Sequence, residues 1–326
     1  MSNLQPPRSP VALGGMVAAL AVAFGLLSQL LPIFFGLLAP LPLALAAIWL
    51  PTGMAVLSAV AATLVLGMLL GPLAGLSFLC QTAIFGLVCG LLVKARQRYA
   101  VIFSGATLAL VLGTGLMLLL QLWLTGAGAA LPTFSALENE MLASAESMDL
   151  FNAMATSSMT AAEAQTMFTQ LVHTMVQLAP AIYMLIFALE TGVVLLLLYL
   201  LCRRLHTEVQ VPALHWKTIL MPPAVLVPFL LAWIALLAER YFDNQVLWIV
   251  AANVMVIGAA GMALDGFSYV IARLNFSEKP LITQFLYIAL VLLMGGYLIV
   301  VCVVLGVFDS IADYRHLRSQ KGAKPQ

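Results

Sequence analysis

Charged side chains are scarce in this chain. Only 8% of its 326 residues are Asp, Glu, Lys or Arg, whereas 63% are hydrophobic and the mean hydropathy is +1.08. A soluble domain carries about 25% charged residues. So few polar side chains cannot cover a water-facing surface, which excludes an ordinary soluble globule. The basic residues lie scattered at the ends of apolar segments and the net charge is only +1, so the sequence predicts no binding to nucleic acid.

Motifs of metal and catalytic sites are also missing. The chain has no phosphate-binding loop, no Gly-x-Ser-x-Gly and no His-Glu-x-x-His. Its four cysteines lie within or at the edges of apolar runs, without a Cys-x-x-Cys pair and without a histidine at ligand spacing: Cys80, Cys89, Cys202 and Cys302. We therefore predict no metal site and no cofactor. The missing motifs also argue against an enzyme, for which Glu190 and Asp265 would be the only candidate pair, so we predict no enzymatic activity.

Long apolar runs, in contrast, are abundant. A helix needs about 20 apolar residues to cross the hydrocarbon of a bilayer. Pro40 and Pro42 break one of these runs, which predicts a tilted or partial span there. The sequence predicts an all-α protein, a polytopic transmembrane helix bundle of eight or nine spans in the lipid bilayer. The nine candidate segments are 11–31, 33–50, 53–72, 74–93, 100–124, 172–201, 218–238, 245–272 and 282–308.

The number of spans depends on segment 218–238. Basic residues mark the cytoplasmic side of a membrane protein. Nine spans with an inner N-terminus place nine basic residues inside and five outside, whereas a segment 218–238 that enters and returns gives twelve and two. That segment is nevertheless long enough to cross, so both numbers of spans and both sides for the C-terminal tail stay open. The first apolar run is longer than a signal peptide, so we expect it to be retained as a first span.

Residues 125–171 differ from the rest of the chain because they are acidic, and no lysine or arginine lies between Arg98 and Arg203. Ser-Ala-Leu-Glu at 135–138 and Thr-Ala-Ala-Glu at 160–163 are typical of capping boxes. We predict two amphipathic helices on the outer side of the membrane, the second continuing into the next span. The chain then divides into a polar tail (1–10), N-terminal transmembrane helices (11–124), the acidic segment (125–171), C-terminal transmembrane helices (172–308) and a basic tail (309–326).

Small residues recur at four-residue spacing in three places. Such ridges allow membrane helices to approach closely. We expect each ridge to lie along one helix face and to serve packing within the bundle, or to dock a partner helix, with the first-segment ridge as the best docking candidate. The ridges are Gly15, Ala19 and Ala23; Gly67, Gly71 and Gly75; and Gly86 and Gly90.

Two carboxylates lie inside predicted spans. Glu190 precedes Arg203 by 13 residues, about 20 Å along a helix, so its side chain cannot reach that interface. Asp265 precedes Arg273 by eight residues, and Asn253 lies on the same span. An ionised carboxylate at mid-bilayer is costly unless it pairs or faces a wet cavity. Two interpretations of Glu190 stay open, a site for a ligand, ion or proton and a neutral group that joins helices. We predict Glu190, Asp265 and Asn253 as ligand-binding residues.

The last span ends in Leu-Gly-Val-Phe-Asp-Ser-Ile-Ala-Asp-Tyr-Arg, residues 305–315. The order Gly-x-Phe-Asp, a second Asp and then aromatic-Arg resembles the C-terminal signature of the YybS-like family, bacterial multi-pass membrane proteins of uncharacterised function. The Pro-broken second segment and the span at 251–274 are similar as well. The resemblance implies a multi-pass protein of a bacterial cytoplasmic membrane. The matching residues are Gly306, Phe308, Asp309, Asp313, Tyr314 and Arg315.

The first six segments also look like the substrate-binding membrane subunits of energy-coupling-factor vitamin transporters. Those subunits dock a transmembrane coupling subunit through a small-residue ridge on their first helix, which here implies Gly15, Ala19 and Ala23. We therefore expect a small-molecule binding or transport component, with Glu190 facing a cavity whose outer mouth segment 125–171 covers. The alternative is a structural or scaffolding membrane protein that holds partner proteins and has no ligand.

Overall fold

The computed structural model describes residues 9–124, 134–147, 160–205, 211–212, 219, 221–242, 244–274, 280, 282–283, 285–286 and 295–312. All regular secondary structure in these residues is helical. The main helices are α1 (Pro10–Leu27), α2 (Pro32–Leu38), α3 (Pro40–Trp49), α4 (Thr52–Leu70), α5 (Pro72–Lys94), α6 (Tyr99–Leu124), α7 (Phe134–Ser147), α8 (Ala161–Gln177), α9 (Ala179–Arg204), α10 (Pro223–Phe242), α11 (Gln245–Leu274) and α12 (Gly296–Ala312).

Seven helices among the described residues are long and apolar enough to cross a bilayer, namely α1, α4, α5, α6, α9, α10 and α11. Phe34–Trp49 and α12 are shorter apolar helices. The all-α polytopic membrane bundle predicted from the sequence is thereby confirmed. Pro32 and Pro40 each begin a helix, so the second apolar segment is divided as its prolines predict. Segment 218–238, whose crossing was left open, supplies most of α10, a continuous helix of 20 residues.

The outer faces of the long helices are apolar. Met68 on α4 is 83% exposed and Leu189 on α9 is 70% exposed, and large exposed hydrophobic side chains recur on the long helices except α5, where Leu73 alone is exposed. Soluble proteins rarely expose contiguous apolar surface on this scale. Lipid is therefore the medium that these helices face.

The chain forms two compact units. The first unit comprises Met1–Thr133 and Ile186–Leu214, and the second comprises Phe134–Leu185 and His215–Gln326. Helix α9 contributes its first residues to the second unit and the remainder to the first. The units are therefore not consecutive stretches of sequence, because the chain returns to the first unit after α8.

In the first unit, α1 packs on α4, α3 packs on α5 and α5 packs on α6. Two glycines allow α3 to lie directly against α5. A Cβ atom at Gly86 would come within 2.6 Å of the carbonyl oxygen of Pro40, and one at Gly90 would overlap the carbonyl oxygen of Ala44. Lys94 at the end of α5 donates a hydrogen bond of 2.5 Å to the carbonyl oxygen of Leu50, where α3 ends. A cation at this position complements the helix dipole.

The expectation that Gly67, Gly71 and Gly75 lie along one helix face is wrong. Helix α4 ends at Leu70, and Gly71 has a φ of +99°, a conformation that glycine adopts without strain. The chain turns there, so Gly67 and Gly75 face each other across two helices, and a Cβ atom at Gly75 would lie 2.8 Å from the Cα atom of Gly67. Gly67 and Gly75 therefore allow close packing between α4 and α5, the two helices that meet at Gly71.

Helix α5 contains a π-helical turn at Phe78–Ala83. Such a turn carries one extra residue and displaces backbone carbonyls from the regular ladder. Gly113 of α6 packs directly against the carbonyl group of Cys80 within it. The turn therefore shapes the contact between α5 and α6.

In the second unit, α11 packs against both α10 and α12, and α7 packs against α8. The α11–α12 contact is the closest in this unit, because Gly266 meets the carbonyl group of Cys302 and Gly306 meets that of Met262. Neither position has room for a side chain. Backbone approach through small residues is the usual basis of helix association in lipid.

The second predicted capping box is confirmed, whereas the side chain of Ser135, on which the first depends, lies outside the described residues. Thr160 accepts a hydrogen bond from the N–H of Glu163, whose carboxylate accepts one of 2.8 Å from the N–H of Thr160. The backbone N–H and the hydroxyl of Thr160 together hold the pKa of the Glu163 carboxyl below its ordinary value. Helix α7 begins at Phe134, so Ser135 is already a helical residue.

Candidate functional site

Glu190 lies near the middle of α9, and its side chain is half-buried. Cys89 on α5 is close enough to interact with it electrostatically. Among the described residues, no group donates a hydrogen bond to the Glu190 carboxyl and no cation pairs with it. In particular, no described glutamine amide binds the Glu190 carboxyl. Within the described residues, a neutral Glu190 that joins helices therefore has no hydrogen-bond partner.

The residue next to Glu190 is used for packing between helices. Thr191 is fully buried, and its hydroxyl oxygen lies 3.2 Å from that of Thr107 on α6. Thr107 donates to the carbonyl oxygen of Phe103 at 2.9 Å, so its oxygen accepts from Thr191. The two threonine hydroxyls thus bind each other. The neighbouring Glu190 carboxyl, in contrast, accepts no hydrogen bond from the described residues.

Asp265 occupies a junction of three elements in the second unit. Its side chain is fully buried on α11 and accepts a hydrogen bond of 2.7 Å from the hydroxyl of Ser310 on α12. It also accepts one of 3.4 Å from the N–H of Met221, just before α10 begins. The positive end of the α10 dipole favours a carboxylate at this place. Asp265 therefore ties α10, α11 and α12 together.

The motif that carries the C-terminal resemblance belongs to the same interface. Gly306 provides the closest approach to α11, and Asp309 is fully buried beside Ser310. Phe308 is exposed on the other face of α12. Asp313, Tyr314 and Arg315 lie outside the described residues. Asp265 and Asp309 are thus buried carboxyls on the two helices that meet at this contact, α11 and α12.

Asn253 is buried on α11, and its amide binds backbone. Its Nδ2 donates to the carbonyl oxygens of Ile249 at 2.8 Å and Gln177 at 2.9 Å, and its Oδ1 accepts from the N–H of Ala181 at 2.8 Å. Both amide hydrogens are used. The arrangement assigns the Asn253 amide to the polypeptide and leaves no donor for a ligand.

The three predicted ligand-binding residues are divided between the two units. Glu190 belongs to the first unit, whereas Asp265 and Asn253 belong to the second. Asn253 and Asp265 are 12 residues apart on α11, about 18 Å along the helix axis. Within the described ranges, no three metal-ligating side chains come together.

The first-segment ridge lies on the outside of α1. Gly15, Ala19 and Ala23 are exposed, and a Cβ atom at Gly15 would meet nothing within 4 Å. Helix α1 packs on its own unit through a different face, which includes Gly14 and Gly25. The ridge is therefore not used in packing within the described part of the first unit.

Sequence reasoning missed a contact between the two helices of the acidic segment. Nδ1 of His173 on α8 lies 3.2 Å from each carboxylate oxygen of Glu138 on α7. Nε2 of His173 lies 2.8 Å from the side-chain amide of Gln177. The four-residue spacing of His173 and Gln177 on one helix indicates their contact. No local pattern in the sequence indicates that Glu138 is the other partner of His173.

Comparison with known proteins identifies a family. Residues 16–310 match the family model described as "Predicted membrane protein (DUF2232)", and because this match covers most of the chain, the protein belongs to that family. No curated protein and no solved structure matches the chain. The chain is thus an integral membrane protein whose family name gives no activity, and the YybS-like and energy-coupling-factor resemblances stay predictions.

Proposed function

We propose that this member of a membrane-protein family is a ligand-binding component of a transport system in a bacterial cytoplasmic membrane, without catalytic activity of its own. Glu190 on α9 is the residue that meets the ligand. The proposal rests on its carboxyl, which lies half-buried in an apolar span and accepts no hydrogen bond from the described residues.

The contrast with the other polar groups supports this assignment. Asn253 and Asp265 were also ligand candidates by sequence, and both bind backbone or side chains of neighbouring elements. Buried polar groups are nearly always hydrogen-bonded, and each exception calls for an explanation. A ligand or a proton at Glu190 supplies one.

The surroundings of Glu190 indicate the class of ligand. The core beside it is apolar and includes Cys89, Val194 and Phe187. A carboxylate in such a setting favours a positively charged or hydrogen-bond-donating group, because its own charge is otherwise uncompensated. We therefore propose a small organic cation, or an amine on an apolar body, as the ligand.

A second membrane subunit is the proposed partner. The exposed stripe of Gly15, Ala19 and Ala23 on α1 allows the backbone of another helix to come close, as in other small-residue helix contacts. This assignment follows the resemblance to energy-coupling-factor subunits. In this proposal the second subunit supplies the energy-coupling step, which the chain itself does not perform.

The test compares Glu190→Gln with Glu239→Gln, the same change near the end of α10. Each protein is purified from native membranes in a mild detergent, and co-purifying small molecules are identified by mass spectrometry. We expect a cationic compound with the wild type and Glu239→Gln and at least a tenfold loss of it with Glu190→Gln, at equal membrane abundance. Equal amounts of the same compounds in all three samples would contradict the proposal.

The alternative is a scaffolding membrane protein without a ligand, which the unused small-residue stripe on α1 favours. Gly67 and Gly86 pack within the chain, so substitutions there would damage the fold itself. Ala19→Leu is the cleaner change, because Ala19 is exposed. If Ala19→Leu releases a co-purifying protein while no compound depends on Glu190, the scaffold is the better description.

A further inference from the structure

The junction between α8 and α9 has an unusual hydrogen-bond pattern. Leu178 separates the two helices, with φ of −88° and ψ of 0°. The N–H of Leu178 still donates to the carbonyl oxygen of Thr174, and that of Ile182 donates to Leu178, both at 3.0 Å. Pro180 has no N–H, so the ladder bond to the carbonyl group of Val176 cannot form. The helical ladder is regular on both sides and interrupted between them.

Asn253 fills this interruption from α11. In a continuous helix the N–H of Ala181 would donate to the carbonyl oxygen of Gln177. Here Ala181 donates to Oδ1 of Asn253 at 2.8 Å, and Nδ2 of Asn253 donates to the carbonyl oxygen of Gln177 at 2.9 Å. One side-chain amide thus stands between two backbone groups that would otherwise bind each other. All three residues belong to the second unit.

We propose that residues 178–180 form a hinge between α8 and the membrane span α9, and that the Asn253 amide holds this hinge at one angle. Withdrawal of the amide removes both the bond from the Ala181 N–H and the bond to the Gln177 carbonyl group. Pro180 keeps the helical ladder interrupted, so no hydrogen bond then fixes the angle between α8 and α9. The Asn253 amide therefore selects one orientation of α8 from the range that the interrupted ladder allows.

The moving part is the acidic outer arm. Helix α7 packs on α8, and Glu138 binds His173, which in turn contacts the Gln177 side chain. Gln177 is also the residue whose carbonyl group Asn253 binds. The arm α7–α8 therefore moves about the hinge as one piece. The hinge therefore sets the direction in which this arm leaves the start of α9.

The experiment measures the position of α8 against α11 by double electron–electron resonance. Spin labels replace Met167 on α8 and Val246 on α11, both exposed, in a background where the four cysteines are changed to alanine. Met167 lies 11 residues from Leu178, so an arm of about 16 Å reports on the hinge. A change of about 20° moves its tip by roughly 5 Å.

We expect a single narrow distance distribution for the wild type and for Pro180→Ala, in which Asn253 still holds the bend. Asn253→Leu should broaden the distribution, because Pro180 keeps the ladder interrupted without fixing the angle. Asn253→Leu combined with Pro180→Ala should give a narrow distribution again, shifted by roughly 5 Å, because the helix is then continuous.

Two results would overturn the proposal. One is a distribution in Asn253→Leu that equals the wild type, and the other is a shift produced by Pro180→Ala alone, since proline sterics would then set the bend. Asn253→Ser, which is polar but too short to bridge both groups, replaces Asn253→Leu if the latter does not fold, and the same broadening is expected. Thr191→Val, which removes a buried hydroxyl contact elsewhere, should leave the distances unchanged.

Discussion

Asp265 and Asn253 in one unit differ from Glu190 in the other in how the chain binds a polar side chain within a span. In the second unit, Asp265 and Asn253 bind the backbone of neighbouring elements, and Ser310 binds Asp265. In the first unit, Glu190 sits in a span of similar hydropathy, and its carboxyl has no hydrogen bond from the described residues. The comparison shows that a polar group inside a membrane span is not by itself a sign of function. What distinguishes the two cases is whether the chain satisfies the group.

The largest effect is expected where helix backbones touch. Gly306→Leu places a side chain on the carbonyl group of Met262, and neither helix can move without breaking the Asp265–Ser310 contact. We expect a loss of about 3 kcal/mol or more, which amounts to loss of the folded protein in detergent. Thermal melting and size-exclusion chromatography measure it.

Gly296→Leu is the matched control on the same helix, because a Cβ atom there meets nothing within 4 Å. Leucine has a higher helix propensity than glycine, so this variant should melt at the wild-type temperature or slightly above it. Equal melting of the two variants would show that the α11–α12 contact does not hold the second unit together.

The comparison itself is tested by the same substitution in each unit. Asp265→Leu leaves the Ser310 hydroxyl and the Met221 N–H without their acceptor, which should cost about 2–4 kcal/mol. Glu190→Leu removes a carboxyl that makes no such bond, so the melting temperature should stay the same or rise. Thermal melting of the two purified variants beside the wild type decides between these directions. A Glu190→Leu variant as unstable as Asp265→Leu would mean that Glu190 also serves the fold.

The difference between the units also explains how far sequence reasoning could go. The apolar spans and the Thr160–Glu163 capping box follow from neighbours within one turn or one run, so the sequence predicts them correctly. Gln177 and Ala181, which bind Asn253 from other helices, are 76 and 72 residues away, and no local pattern specifies them. Gly71-Pro72 was a visible turn signal. The regular spacing of Gly67, Gly71 and Gly75 concealed it, because a helix face and a helical hairpin can share that spacing.

The outer arm offers the smallest and most local test, at a group exposed to water. Hydrogen bonds from the backbone N–H and hydroxyl of Thr160 hold the pKa of Glu163 below its ordinary value. A carboxyl with a lowered folded pKa stabilises the folded form above its unfolded pKa, and this contribution is lost as the pH falls through the folded value. The first turn of α8 should therefore fray as the pH falls below about 4.3, while remaining intact at neutral pH.

Glu163→Gln removes the titration, so the difference in helicity between it and the wild type should be constant above about pH 5 and vanish in acid. Circular dichroism at matched ionic strength measures this difference, with Glu140→Gln on α7 as the control for the loss of one charge. A difference in helicity that persists unchanged below the folded pKa would show that the carboxylate form of Glu163 does not stabilise the N-terminus of α8. The hinge at residues 178–180 would then position α7 and α8 without a contribution from this cap.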